Sequence, residues 1–227
     1  MKAFKKLVLA GFLLISLSAC SSPKQESATT SPASSSEEKV QVTEPTYNGS
    51  YYSVTGKLGD EIVLVNKKHP LSADYAPGED PTAQQAFLKI LAEMQSLGFS
   101  VSEQYSGYRS YDYQASLYDT YVARDGQAEA DRYSARPGYS EHQTGLAFDV
   151  LDGNGQLLEE SDAVSWLENH AHDYGFIVRY PADKEKVTGY MGETWHLRYI
   201  GQEAKDIYES GLTLEEYFKV PGGDYED

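Results

Sequence analysis

The chain contains one cysteine, Cys20, and this limits what it can fold into more than any other feature. Without a second thiol no internal disulfide can form, so a folded unit must be held by buried apolar side chains, with at most a bound metal added to them. The material for such a core is present: 227 residues, 40% hydrophobic and 12% aromatic, suit one domain of ordinary size with appendages. Where the cysteine sits matters too. Lys2, Lys5 and Lys6 precede an uncharged apolar run from Leu7 to Leu17, too short for a membrane-spanning helix, which closes on Leu17-Ser18-Ala19-Cys20. This is the layout of an export signal.

That closing tetrapeptide resembles the lipobox of bacterial lipoproteins. The resemblance implies that residues 1–19 are a removable signal peptide and that Cys20 becomes a lipidated N-terminus. An acylated sulfur cannot be a nucleophile, which excludes thiol peptidases and cysteine-dependent transpeptidases. Removing residues 1–19 takes away three lysines and no acids, leaving 16 basic against 35 acidic residues, a net charge of −19. Such a surface repels nucleic acid and anionic lipid, so attachment to the extracellular face of the cell membrane must come from the lipid. From Ser21 to Thr46 the chain is rich in Ser, Thr, Pro and Glu and lacks aromatics; residues 20–46 read as a flexible tether and residues 47–227 as the folded domain.

Within the domain, "EIVLVN" (Glu61–Asn66) is a short β-rich run. "DPTAQQAFLKILAEMQSLGF" is a helix capped by Asp80, with Pro81 in the first turn and Ala83, Phe87, Ile90, Leu91, Met94 and Leu97 as one apolar stripe. "SYDYQASLYDTYVARDG" reads as a second helix with Leu117, Tyr118, Tyr121 and Val122 inward. "SDAVSWLENHAHDYGF" reads as a third, capped by Ser161 and stopped by Gly175. "GLAFDVLDGNG", "FIVRYP" and "TWHLRYI" read as strands, followed by short helices at "GQEAKDIYES" and "TLEEYFK". Helices come early and strands late, which predicts an α+β fold with a small, mainly antiparallel sheet flanked by helices.

Five histidines leave few ways to build a metal site. His142 and Asp149 lie in "GYSEHQTGLAFDV", and a catalytic zinc site needs three protein ligands with one position open to water. His196 is a candidate third; strand alternation puts it on one face with Thr194 and Arg198, opposite Trp195, Leu197 and Tyr199. His69, in a charged loop, and His170 and His172, two apart on a helix, read as solvated. Spacing alone leaves His142 and Asp149 open to a purely structural reading. Ser21 to Lys24 spells S-x-x-K without a K-T-G partner, and the loop after Asp149 lacks the twelfth-position acid of a calcium site, which is Ala163 here.

Three segments together resemble one family. "SEHQTGLAFD" (Ser140–Asp149), "ETWH" (Glu193–His196) and "SGYRS" (Ser106–Ser110), continued by Gln114, are similar in sequence and order to the motifs of the D-alanyl-D-alanine carboxypeptidase (VanY) zinc peptidases. The lipobox, tether and domain length resemble the streptococcal LdcB/DacB group of L,D-carboxypeptidase lipoproteins. The resemblance implies a single zinc peptidase domain with Zn2+ held by His142, Asp149 and His196, and Glu193 as general base. Glu141 is a rival that strand parity does not separate from Glu193. Arg109 has a permanently charged planar fork suited to a developing oxyanion or a substrate carboxylate; the family favours the first. Gln114 and Ser140 are candidates for the substrate's terminal carboxylate, and Tyr108, Tyr180 and Trp195 for groove walls. The implied activity is removal of D-Ala from peptidoglycan tetrapeptide stems, with D,D-carboxypeptidase action on pentapeptides, or a non-catalytic wall-binding lipoprotein, as alternatives.

Overall fold

The computed structural model describes residues 44–226; the residues read as an export signal, and all but the end of those read as a tether, lie outside them. Three short strands, β1 (Thr46–Tyr47), β2 (Tyr52–Thr55) and β3 (Glu61–Leu64), form an antiparallel sheet in that order. A second antiparallel sheet has the order β4-β5-β7-β6, from β4 (Val101–Ser106), β5 (Ala147–Asp152), β6 (Phe176–Tyr180) and β7 (Glu193–Tyr199). The α+β expectation holds, but the strands divide between two sheets. The sequence pattern does not predict β1 or β2, which are two and four residues long.

Helix α1 (Pro81–Ser96) starts where Asp80 accepts a hydrogen bond from the Ala83 amide, and packs with α4 (Ser161–His170) on one face of the larger sheet. Ala83, Phe87, Ile90, Leu91 and Met94 meet Phe148 and Val150 of β5, Phe176 of β6, Leu197 of β7 and Leu167 of α4. Each such fully buried large apolar side chain stabilises by roughly 1.5–3 kcal/mol. Leu97, expected in this stripe, is instead the C-cap and stands 53% exposed, because the helix has already ended when its face would turn inward. The α4 cap is Glu160, not Ser161: its carboxylate accepts from the amides of Asp162 and Ala163.

A second core joins β2 and β3 to α6 (Glu203–Ser210) and α7 (Leu214–Phe218). Its residues include Val54, Ile62, Leu64, Ala204, Ile207, Leu214 and Phe218, with Ile177 reaching in from β6. α2 (Tyr111–Asp125) buries only Gln114 and Tyr118; of its expected inward face, Leu117 and Tyr121 line a cleft instead of a core. α3 (Gln127–Tyr133) and α5 (Glu185–Thr188) complete the chain order and had no clear sequence signature. Among the described residues no helix is long and apolar enough to cross a membrane.

Because strand side chains alternate, the sheet that gives Phe148, Val150 and Leu197 to the core turns Asp149, His196 and Arg198 to the opposite face. The same alternation that builds the core therefore builds the site.

Candidate active site

Asp149 and His196 are direct cross-strand partners in the β5–β7 pairing, which sets their Cβ atoms roughly 4.5–5.5 Å apart. The third group comes from a 3₁₀ turn, Glu141–Thr144, between Ser140 and β5. Gly145 ends this turn at φ +73°, where an added Cβ would lie 2.0 Å from the Gly78 carbonyl oxygen; only glycine fits, which explains the glycine in "HQTG". The turn delivers His142, whose Nδ1 donates to the Gly107 carbonyl at 2.7 Å. A carbonyl can only accept, so the proton sits on Nδ1 and Nε2 is the free nitrogen.

The ligand atoms of His142, Asp149 and His196 all lie within 4.8 Å of one another, and all three residues are buried. His142 Nε2 is 3.2 Å from Asp149 Oδ2, and His196 Nδ1 is 3.1 Å from Asp149 Oδ1. His142 Nε2 and Asp149 Oδ1 are nonetheless buried without a hydrogen-bond partner. Orphaned polar atoms of this kind are costly unless a further group satisfies them. Two imidazole nitrogens and a carboxylate converging on one point fit a divalent metal, and a three-ligand set leaves a position for water.

Glu193, the first residue of β7, places its carboxylate 3.7 Å from His196 Nδ1. Burial pushes its pKa up to about 7, Asp149 adds to the rise and His196 opposes it. Between Val178 and Tyr180, where β6 runs beside the start of β7, the register shifts by two residues, from Val178 opposite Leu197 to Tyr180 opposite Glu193, so β7 is irregular where Glu193 enters it. Arg109 follows "SGY"; its amide donates to the His142 carbonyl, and its guanidinium lies 3.9 Å from Asp149 Oδ2 with Nε unpartnered.

Glu141 has a different position from Glu193. It is 1% exposed, accepts on Oε1 from Arg179 Nε at 2.8 Å and Arg198 at 2.9 Å, and presents Oε2 to His196 Nε2 at 3.2 Å. Burial works against its charge, but the two guanidiniums prevail and hold its carboxyl below the usual range. A carboxylate so fully engaged orients His196; it is not free to move a proton.

These groups open onto a cleft of about 370 Å³ whose walls include Gln114, Ser140, Tyr180, Tyr190 and Trp195. Gln114 spends its amide nitrogen on the Ala135 carbonyl at 2.7 Å, and its Oε1 is buried without a partner. Tyr108 is not among the residues lining the cleft. His69, expected to be solvated, is buried: its ring nitrogen meets Asn66 Oδ1 at 2.8 Å and its edge packs on Tyr52. His170 is exposed and stacks on Trp166, while His172 is half-buried against Tyr208. Arg179 and Glu215, which meet in a buried ion pair, are not marked by any of the three motifs. The available signal was an arginine inside the apolar strand "FIVRYP", a position that demands a buried acid.

The sequence profile of the VanY family, D-alanyl-D-alanine carboxypeptidase, matches residues 78–202. The chain belongs to the VanY family. Its solved neighbours include the LdcB LD-carboxypeptidase, 58% identical with a TM-score of 0.79 over 82% of this chain and 99% of that one. The L,D-carboxypeptidase DacB from Streptococcus pneumoniae is 59% identical, with a TM-score of 0.78 over 81% and 99% of the two chains. A vancomycin-resistance D,D-pentapeptidase VanY, determined with Zn(II), is 35% identical, with a TM-score of 0.59 over 68% and 96%. The three VanY-type motifs thus meet at one place in this chain: "SGYRS" supplies Arg109 and the carbonyl that fixes His142, and the other two supply the ligands and Glu193.

Proposed function

We propose that the protein is a zinc-dependent L,D-carboxypeptidase that removes the C-terminal D-Ala from peptidoglycan tetrapeptide stems. The observation that carries this reading is the 58% identity over 99% of the LdcB LD-carboxypeptidase, against 35% to the D,D-pentapeptidase VanY. His142 Nε2, Asp149 and His196 Nδ1 would hold the zinc. When bound, zinc supplies Lewis acidity that polarises the scissile carbonyl and makes water nucleophilic near neutral pH.

The chain's own groups do the rest. Glu193, buried beside the ligand cluster and with its carboxylate 3.7 Å from His196 Nδ1, is placed to accept a proton from water and to release it again. The water oxygen joins the carbonyl carbon, the C–N bond to D-Ala breaks, and Glu193 passes its proton to the departing nitrogen. The products are the tripeptide carboxylate and free D-Ala. Arg109, with an unpartnered Nε beside the ligand cluster, stabilises the negative charge that develops on the carbonyl oxygen. Ser140, on the cleft wall, is the donor for the substrate's terminal carboxylate. Gln114 supports that wall through Ala135, and Tyr180 and Trp195 flank the stem peptide. The domain works on the extracellular face of the membrane, tethered through lipidated Cys20; the lipobox supports this part of the reading.

Metal content and hydrolysis of wild type and Glu193→Ala test the assignment. Both proteins should bind zinc equally, with the variant slower by about 10²–10⁴-fold, the usual worth of a general base. Equal inactivity of two zinc-loaded proteins on every stem peptide would instead indicate a wall-binding lipoprotein.

A further inference from the structure

Glu141 is one member of a larger buried network. Arg179 donates through Nε to Glu141 and through both terminal nitrogens to Glu215 on α7. Arg198 joins Glu141 to the Val63 carbonyl of β3. Asn66 donates to Glu215 Oε1 at 3.2 Å and to the Pro221 carbonyl at 3.0 Å. Glu141, Arg179, Arg198 and Glu215 are each no more than 2% exposed, and their charges cancel. Val63, Asn66 and Glu215 lie outside residues 78–202, the segment that matches the family.

Such a network is a poor device for stability alone. A buried ion-pair cluster can often be replaced by well-packed apolar side chains at no loss, while removal of one member leaves a stranded charge. It is well suited to direction. Glu215 takes both terminal nitrogens of Arg179, which leaves Nε as the group aimed at Glu141. Arg179 and Arg198 then converge on Oε1 of Glu141, so Oε2 is left for His196 Nε2. With its Nε2 proton so engaged, His196 turns Nδ1 to the ligand cluster. Partners of this kind behind a metal-bound histidine commonly affect metal affinity or activity.

We propose that Glu215 is a positioning residue for the metal centre, acting through Arg179 and Glu141 on the orientation of His196. The small sheet and the C-terminal helix, outside the family segment, are thereby part of the machinery that holds the ligands. The proposal rests on the zinc-site reading above.

The test compares wild type, Glu215→Gln and Leu214→Ala, the last removing a fully buried apolar neighbour on the same helix. Zinc affinity is measured by chelator competition, the visible spectrum is recorded with cobalt in place of zinc, and kcat and KM are measured separately. Glu215→Gln should weaken zinc binding by roughly tenfold or more, within the range for such outer partners, alter the cobalt spectrum, and lower kcat with KM little changed. Leu214→Ala should lower Tm and leave zinc affinity and the cobalt spectrum as in wild type. If Glu215→Gln does not fold, Glu215→Asp, which keeps the charge but draws it back, is read by the same measures. A folded Glu215 variant with wild-type zinc affinity and cobalt spectrum would overturn the proposal. A wild type that takes up no zinc would instead overturn the reading of the site.

Discussion

Gly107→Ala offers a sharp test of how "SGYRS" supports the site. An added Cβ would lie 1.9 Å from Glu79 Oε2 and 3.1 Å from both the Glu79 carboxyl carbon and Tyr105 Cε2. Glu79 cannot simply swing away. Its Oε1 accepts from Gln84 at 2.6 Å and from the Tyr105 hydroxyl at 2.9 Å, and its Oε2 accepts from the Tyr108 amide at 3.2 Å. Relief of the clash must therefore sacrifice one or two hydrogen bonds to a charged acceptor, each worth about 1.5–3 kcal/mol, or move the Gly107 backbone. We expect a loss of about 2–4 kcal/mol, which for a domain of this size lowers Tm by about 4–16 °C. The Gly107 carbonyl also holds His142 Nδ1, so zinc affinity should fall as well. Thermal unfolding of a double-mutant cycle with Glu79→Ala measures the cause directly. With the carboxylate gone, Gly107→Ala should cost less than about 1 kcal/mol, since glycine replacement also reduces the entropy of the unfolded chain. Equal cost in both backgrounds would refute the reasoning.

Other substitutions probe other parts of the account. Phe87 is fully buried and stacks on Phe148 at 4.9 Å, next in sequence to Asp149; Phe87→Ala should cost about 3–5 kcal/mol in denaturant unfolding. Burial lowers the pKa of His69 from 6.5, with Glu215 opposing. The unfolded chain then binds the proton more readily, so the stability contributed by neutral His69 is full above 6.5 and is lost as pH falls through the lowered folded value. Tm of wild type should consequently fall more steeply with acidification than Tm of His69→Gln, and parallel curves would contradict this. Cys20→Ser should move the protein from the membrane fraction to the soluble one, as tethering by lipid requires.

Much of this site could be read from the chain. His142, Asp149, His196, Glu193 and Arg109 lie in the three segments whose resemblance to the family singles them out, and all five line one cleft; strand alternation puts His196 and Arg198 on one face, where both reach Glu141. Local spacing could not show that Asp149 pairs directly with His196, because that is a register between strands distant in sequence. Glu141 and Glu193 could not be separated for a similar reason: Arg179 and Arg198 occupy Glu141 from two other strands. His69 looked solvated beside Lys67 and Lys68, yet its burial depends on Tyr52 and Asn66 folding back over it. The apolar stripe of α1 was legible as far as Met94; Leu97 followed the same period but fell beyond the last helical turn. Glu215, 36 residues from Arg179, carries no local mark of its role.

The central claim is the bond that is cut. Purified, zinc-loaded protein should be incubated with defined tetrapeptide and pentapeptide stems and the products weighed. D-Ala should be released from the tetrapeptide to leave a tripeptide; release from the pentapeptide alone, with the tetrapeptide left intact, would contradict L,D-carboxypeptidase action.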